Sequence, residues 1–124
     1  MASLQFSNAP IYLGSDLCLP KLVDAYGITR DLFSEISGVS KSLLSRMGPV
    51  SPSTRVKVSE LVNIYILLWK LLEGNEAKIK RWLVEPQDQY WGLSPIQFAK
   101  ADRKNIQTIL KNLQEIKYGE AMGA

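Results

Sequence analysis

The stretch LVNIYILLWKLL, residues 61–72, is apolar at every position except Asn63 and Lys70. A helix on a protein surface keeps one face polar, and this stretch has no such face. Ser51-Pro52 opens the helix with a capping serine and a proline in the tolerated first turn, and Gly74 closes it, so the spacing predicts one long helix over residues 52–73. Whatever folds around it must cover nearly every side. It is expected to be the central core helix, with any surplus apolar face buried in a homodimer contact; the two readings are compatible. The run falls short of the ~20 apolar residues that a membrane span needs.

The flanks are punctuated as helices. Gly27 ends a helix over residues 20–26. Thr29 can cap a second over residues 30–37, which Gly38 ends, and Ser40 a third over residues 41–47, ended by Gly48-Pro49. Asn75 restarts a helix that Pro86 stops. Ser94-Pro95-Ile96-Gln97 is a capping box with proline at the first helical position. Asp102 can cap a final helix that runs to Tyr118 and ends at Gly119. Few segments alternate as strands do. The expected fold is all-α, with about seven helices. An N-terminal arm, residues 1–19, precedes a helix-turn-helix bundle, residues 20–73. Its long helix joins a C-terminal helical unit, residues 74–124. The first fifteen residues carry Pro10 and Gly14 and no clear period, as a loose arm would.

Several function classes are disfavoured at once. There is no histidine, hence no His-based triad, metal cluster or proton shuttle, and Cys18 has no imidazole to activate it. Glycine-rich phosphate loops are missing, and no spacing points to a catalytic carboxylate pair. Neither an enzyme nor a cofactor or metal site is expected. A single cysteine fits a reducing compartment, and the first residues lack the basic start and apolar run of a signal peptide. A soluble, cytoplasmic protein is expected.

The segment ITRDLFSEISGVSKSLLSRMG, residues 28–48, has helix-turn-helix spacing. Leu32, Phe33 and Ile36 make the inward face of the first helix, Gly38 the sharp turn, and Val39 the plug between the helices. Leu43, Leu44 and Met47 hold the second helix to the core. In this motif the second helix enters the DNA major groove. Ser40, Lys41, Ser42, Ser45 and Arg46 are then the candidate DNA contacts, Arg46 as a guanine reader. The net charge of +3 is too weak to argue DNA binding by itself. The local pattern argues better: residues 36–59 hold no acid but four cations, Lys41, Arg46, Arg55 and Lys57, which can track phosphates. The competing reading is two short core helices joined by Gly-Val, with a solvated polar face.

The C-terminal part carries a second pattern. A Trp-Leu helix end (Trp82-Leu83) is followed by Pro86, by Gly92 and by Ser94-Pro95; a last helix then carries Leu113, Ile116, Tyr118 and Gly119. In order and spacing this resembles the toxin-binding domain of the Xre/MbcA/ParS antitoxin family, many members of which have a helix-turn-helix upstream. The likeness covers roughly residues 20–121. It departs from the family in having Trp91 before a single Gly92, Glu115 and Lys117 around Ile116 with charges reversed, and Arg103-Lys104-Asn105 where a glycine often stands. The resemblance implies a type II antitoxin that blocks a RES-type, NAD-consuming toxin and, with it, represses its own operon. A stand-alone helix-turn-helix regulator with a helical dimerisation or effector domain is the alternative, and an adaptor that no longer binds DNA is a third. The candidate toxin surface is Tyr90, Trp91, Gly92, Pro95, Lys117, Tyr118 and Gly119; Trp82, which closes a helix, is expected to put its ring in the core. Tyr90 and Trp91 either touch the partner or fold back over the helices as a local lid.

Overall fold

The computed structural model describes the backbone over residues 9–123 and the side chains up to residue 116. It begins with a small antiparallel hairpin, β1 (Tyr12–Leu13) and β2 (Asp16–Leu17), with Tyr12 opposite Leu17. Seven α-helices follow among the described residues: α1 (Leu19–Tyr26), α2 (Arg30–Ser37), α3 (Lys41–Leu44), α4 (Pro52–Leu71), α5 (Glu76–Val84), α6 (Pro95–Ala101) and α7 (Lys104–Gly123). A 3-10 turn, Asp88–Tyr90, lies between α5 and α6. The fold is all-α apart from the hairpin. No helix among the described residues is long and apolar enough to cross a membrane.

The helix starts follow local chemistry. The side chains of Thr29, Ser40, Ser51, Asn75 and Ser94 each accept a hydrogen bond from a backbone N–H in the first turn of the helix they precede. At Ser94 the box is complete, since Gln97 returns the bond to the Ser94 N–H. Gly27 and Gly38 end α1 and α2 in the left-handed region, at φ 70° and 75°.

The end of α4 differs from expectation. The Gly74 N–H donates to the Trp69 carbonyl, and the Glu73 N–H to that of Lys70. This is a Schellman closure, in which the residue after the cap turns left-handed. That residue is Glu73, at φ 53°, one position before the glycine. A side chain with a Cβ pays about 1 kcal/mol or more there. Glu73→Gly is therefore expected to raise stability by about 0.5–1 kcal/mol, read as a higher urea midpoint with an unchanged slope.

Around α4 the chain builds one interior. Leu61, Ile64, Tyr65 and Leu68 are fully buried, and Val62, Ile66, Leu67, Trp69 and Leu71 are half-buried against the same core. Only Val56 stands out as a large exposed apolar residue on this helix. The chain itself thus covers most of the apolar circumference. α7 packs along α4 through Ile106, Ile109 and Leu113, which recur at helical spacing. α6 packs on α2, and α5 on α1, so both halves of the chain meet in a single hydrophobic cluster. Tyr26 and Phe33 meet edge to face at 5.4 Å, and the Tyr26 hydroxyl donates to the Leu61 carbonyl of α4.

Three further expectations are corrected. The arm is not loose over its described part: Ala9 and Ile11 are in the core, because the hairpin turns them inward. α3 is one turn, not two. After Leu44 the Arg46 N–H bonds back three residues, to the Leu43 carbonyl, and the chain then leaves toward Gly48 at φ 130°. Val50 takes the buried place, while Met47 stands 58% exposed instead of holding the helix to the core. Finally, α7 continues through Gly119; one glycine inside a helix costs only about 1 kcal/mol relative to alanine.

Candidate functional site

Two surfaces carry the candidate residues. On the first, Phe33 and Ile36 of α2 face inward, Gly38 turns the chain and Val39 plugs the angle at 2% exposure, as the motif requires. The Ser34 hydroxyl donates to the Val39 carbonyl, and the Val39 N–H donates to the Ser37 hydroxyl, which fixes the turn. Ser40, Lys41, Ser42, Ser45 and Arg46 are all exposed.

Several of them already have partners. Ser40 Oγ caps α3 at Leu43 and lies 3.3 Å from Ser42 Oγ. Lys41 pairs with Asp31 at 2.8 Å, and this hydrogen-bonded ammonium holds the Asp31 carboxyl below its usual range. Ser45 Oγ donates to the Lys41 carbonyl and accepts from Arg30. Arg30 and Asp31 were not among the sequence candidates. Their contacts to residues ten and more positions away arise from the angle between α2 and α3, which no local pattern encodes.

Arg46 lies beyond α3 and edges a small recess with Leu43, Val50 and Thr54. Arg55 faces the hairpin, in a groove with Asp16, Ser59 and Asn63. Arg55 and Lys57 are both exposed, but two residues apart on α4 they diverge by roughly 200°. The acid-free stretch is therefore not one continuous cationic face.

The second surface is the loop of residues 87–93. Its backbone closes on itself. The Gln87 carbonyl accepts from the N–H groups of Tyr90 and Gly92, and the Gln87 N–H donates to the Leu93 carbonyl. The Leu93 N–H returns a bond to Tyr90, and the Gln87 side chain donates to the Trp82 carbonyl. This rigid turn separates the two aromatics. Tyr90 points in: it is 1% exposed, stacks on Phe98 at 4.8 Å, and its hydroxyl accepts from Asn112. Burial raises its pKa, partly offset by the Asn112 bond. Trp91 points out, 81% exposed, with its ring 5.7 Å from Phe98.

Trp91 also sits in the left-handed region, at φ 54°, followed by Gly92 at φ 82°. A bulky residue there is a genuine outlier, held by the closed ring of loop bonds. Of the implied toxin contacts, Tyr90 and Pro95 are buried and belong to the core; Trp91 and Gly92 are available, with Leu93 exposed beside them. The ring of Trp82 is half-buried rather than fully core. The side chains of Lys117 and Tyr118, and the surroundings of Gly119, lie outside the described residues.

Among the described residues no group of three or more metal-ligating side chains comes together. Cys18 is buried, and its thiol donates to the Met47 thioether at 3.7 Å. Compared with models of known protein families and with curated proteins, the chain matches none.

Proposed function

We propose that this chain is a type II antitoxin acting in the cytoplasm: it binds and blocks a RES-type toxin through its C-terminal half and represses its own operon through the α2–α3 unit. The observation that carries the reading is Trp91. A tryptophan held at 81% exposure, in a strained backbone conformation, on a loop closed by its own hydrogen bonds, buries little of its surface within the chain beyond one tilted contact with Phe98. Strain of this kind concentrates at binding sites, and tryptophan is the side chain most enriched among binding hot spots. For DNA, the supporting features are the buried Val39 plug and the outward Lys41, Ser42 and Arg46. Operator half-sites are commonly read by dimers, and the half-covered Val62, Ile66 and Trp69 on one side of α4 are the surface offered to a second copy.

A second reading, an adaptor without DNA binding, is favoured by the bonds that already occupy Lys41 and Ser45. A stand-alone regulator would use Trp91 for dimerisation or effector binding instead of a toxin.

The test is co-expression with the product of a neighbouring reading frame of toxin size. Trp91→Ala is expected to weaken capture by about 30-fold or more, the equivalent of ~2 kcal/mol, and to restore toxicity. Its melting temperature should stay close to that of the wild type. Capture and growth rescue unchanged by Trp91→Ala would remove Trp91 from the partner surface. Gel shifts with upstream DNA separate the antitoxin from the adaptor.

A further inference from the structure

Arg103 immediately precedes α7 in the C-terminal half, yet its guanidinium lies on Gly38, the turn glycine of the N-terminal half. A Cβ built on Gly38 would stand 1.6 Å from Arg103 Nη2 and 2.8 Å from Cζ. Only a residue without a side chain leaves room for that approach. Gly38 is two residues before Ser40, the cap of α3, and two residues span at most about 7 Å. The fold therefore sets an arginine from the far half of the sequence beside the start of the helix that would face DNA.

Two of the cations at this junction are already paired, Lys41 with Asp31 at 2.8 Å and Lys100 with Glu35 at 3.9 Å, and Arg30 is bonded to the Ser45 hydroxyl. Arg103 is exposed and has no ion pair among the described residues. Its fork of donors lies against the Gly38 backbone and is open to solvent. A guanidinium suits a phosphate better than an ammonium does, because it can donate two parallel bonds.

We infer that Arg103 is a phosphate anchor, binding the backbone of duplex DNA beside the α2–α3 unit and so making the C-terminal half part of the DNA interface. The inference rests on the DNA-binding reading above. An anchor of this kind contributes affinity and orientation but no sequence preference.

The experiment is a fluorescence anisotropy titration of the full chain against a duplex from upstream of its reading frame, repeated between about 50 and 200 mM salt. Wild type is compared with Arg103→Gln, Arg103→Met (which keeps the aliphatic stem) and Arg103→Lys. Losing one phosphate contact is expected to reduce the slope of log affinity against log salt by about 0.9 for Gln and Met. Their deficit relative to wild type should then shrink about threefold across that range. Lys should keep the wild-type slope, and the order of preference among duplex sequences should not change. A lower melting temperature with an unchanged slope would show a packing role and overturn the anchor. So would an unchanged slope with lost capture of the co-expressed partner, which would make Arg103 a protein contact. Wild type that binds no duplex even at low salt would instead overturn the DNA-binding reading, and the anchor with it.

Discussion

Tyr90→Ala is expected to lower folding stability by about 3–5 kcal/mol, a large share of the ~5–15 kcal/mol that a domain of this size holds. The ring is 1% exposed and stacks on Phe98 at 4.8 Å, and its hydroxyl accepts from Asn112 on α7. Its removal leaves a cavity beneath the loop and an Asn112 amide without that partner. The same substitution one residue later, Trp91→Ala, takes away a ring that is 81% exposed and should hardly move the melting curve. Thermal melts of the two single mutants measure the contrast directly. The difference should be about 10–20 °C. Similar melting temperatures for both would mean that the loop does not hold Tyr90 in the core as described.

A steep loss of stability in alkali is the second large effect. Tyr26, Tyr65 and Tyr90 are all raised from the ordinary tyrosine range, chiefly by burial. Tyr65 is pushed up to about 12, with Glu76 contributing after burial. Its hydroxyl, moreover, has no hydrogen-bond partner among the described residues. In the unfolded chain these phenols titrate near ~10. Above that pH the unfolded state releases protons that the folded state keeps, so stability must fall as pH rises. The contribution of Tyr65 is whole below pH ~10 and disappears by about 12, some 2–3 kcal/mol in all. Urea unfolding at stepped pH should show the midpoint dropping through this window. Tyr65→Phe should flatten the drop and also add about 1 kcal/mol near neutrality, because it removes an unsatisfied buried hydroxyl. A midpoint that stays constant across the window would contradict the burial of these phenols.

The legible parts of the fold were those fixed within a few residues. Thr29, Ser40, Ser51, Asn75 and Ser94 cap their helices because a short polar side chain needs only the next turn to bond. The central position of α4 was legible too, because a helix without a polar face has no other place to go. What escaped depended on partners far along the chain. α3 stops after one turn, and Val50 rather than Met47 is buried beyond it, an outcome that helical spacing could not show. The division of labour between Tyr90 and Trp91 goes with two consecutive left-handed residues, Trp91 and Gly92, in a loop whose backbone bonds close on themselves. Tyr90 and Trp91 are both aromatic and adjacent, so composition could not say which would face in. The contact of Arg103 with Gly38 joins positions whose proximity only the packing of α6 on α2 creates.

Because Ile106, Ile109 and Leu113 of the last helix cover one side of α4, the seam near residue 74 is not a place where genes can recombine cleanly. A crossover there would hand each descendant half an interior, with apolar rows matched to a lost counterpart. Such a chain would tolerate substitution on its exterior, at the exposed tip carrying Trp91 or along the exposed side of α3, better than exchange of modules. The residues of the shared interior would then have to change together, each substitution on α4 answered by one on the helix that covers it.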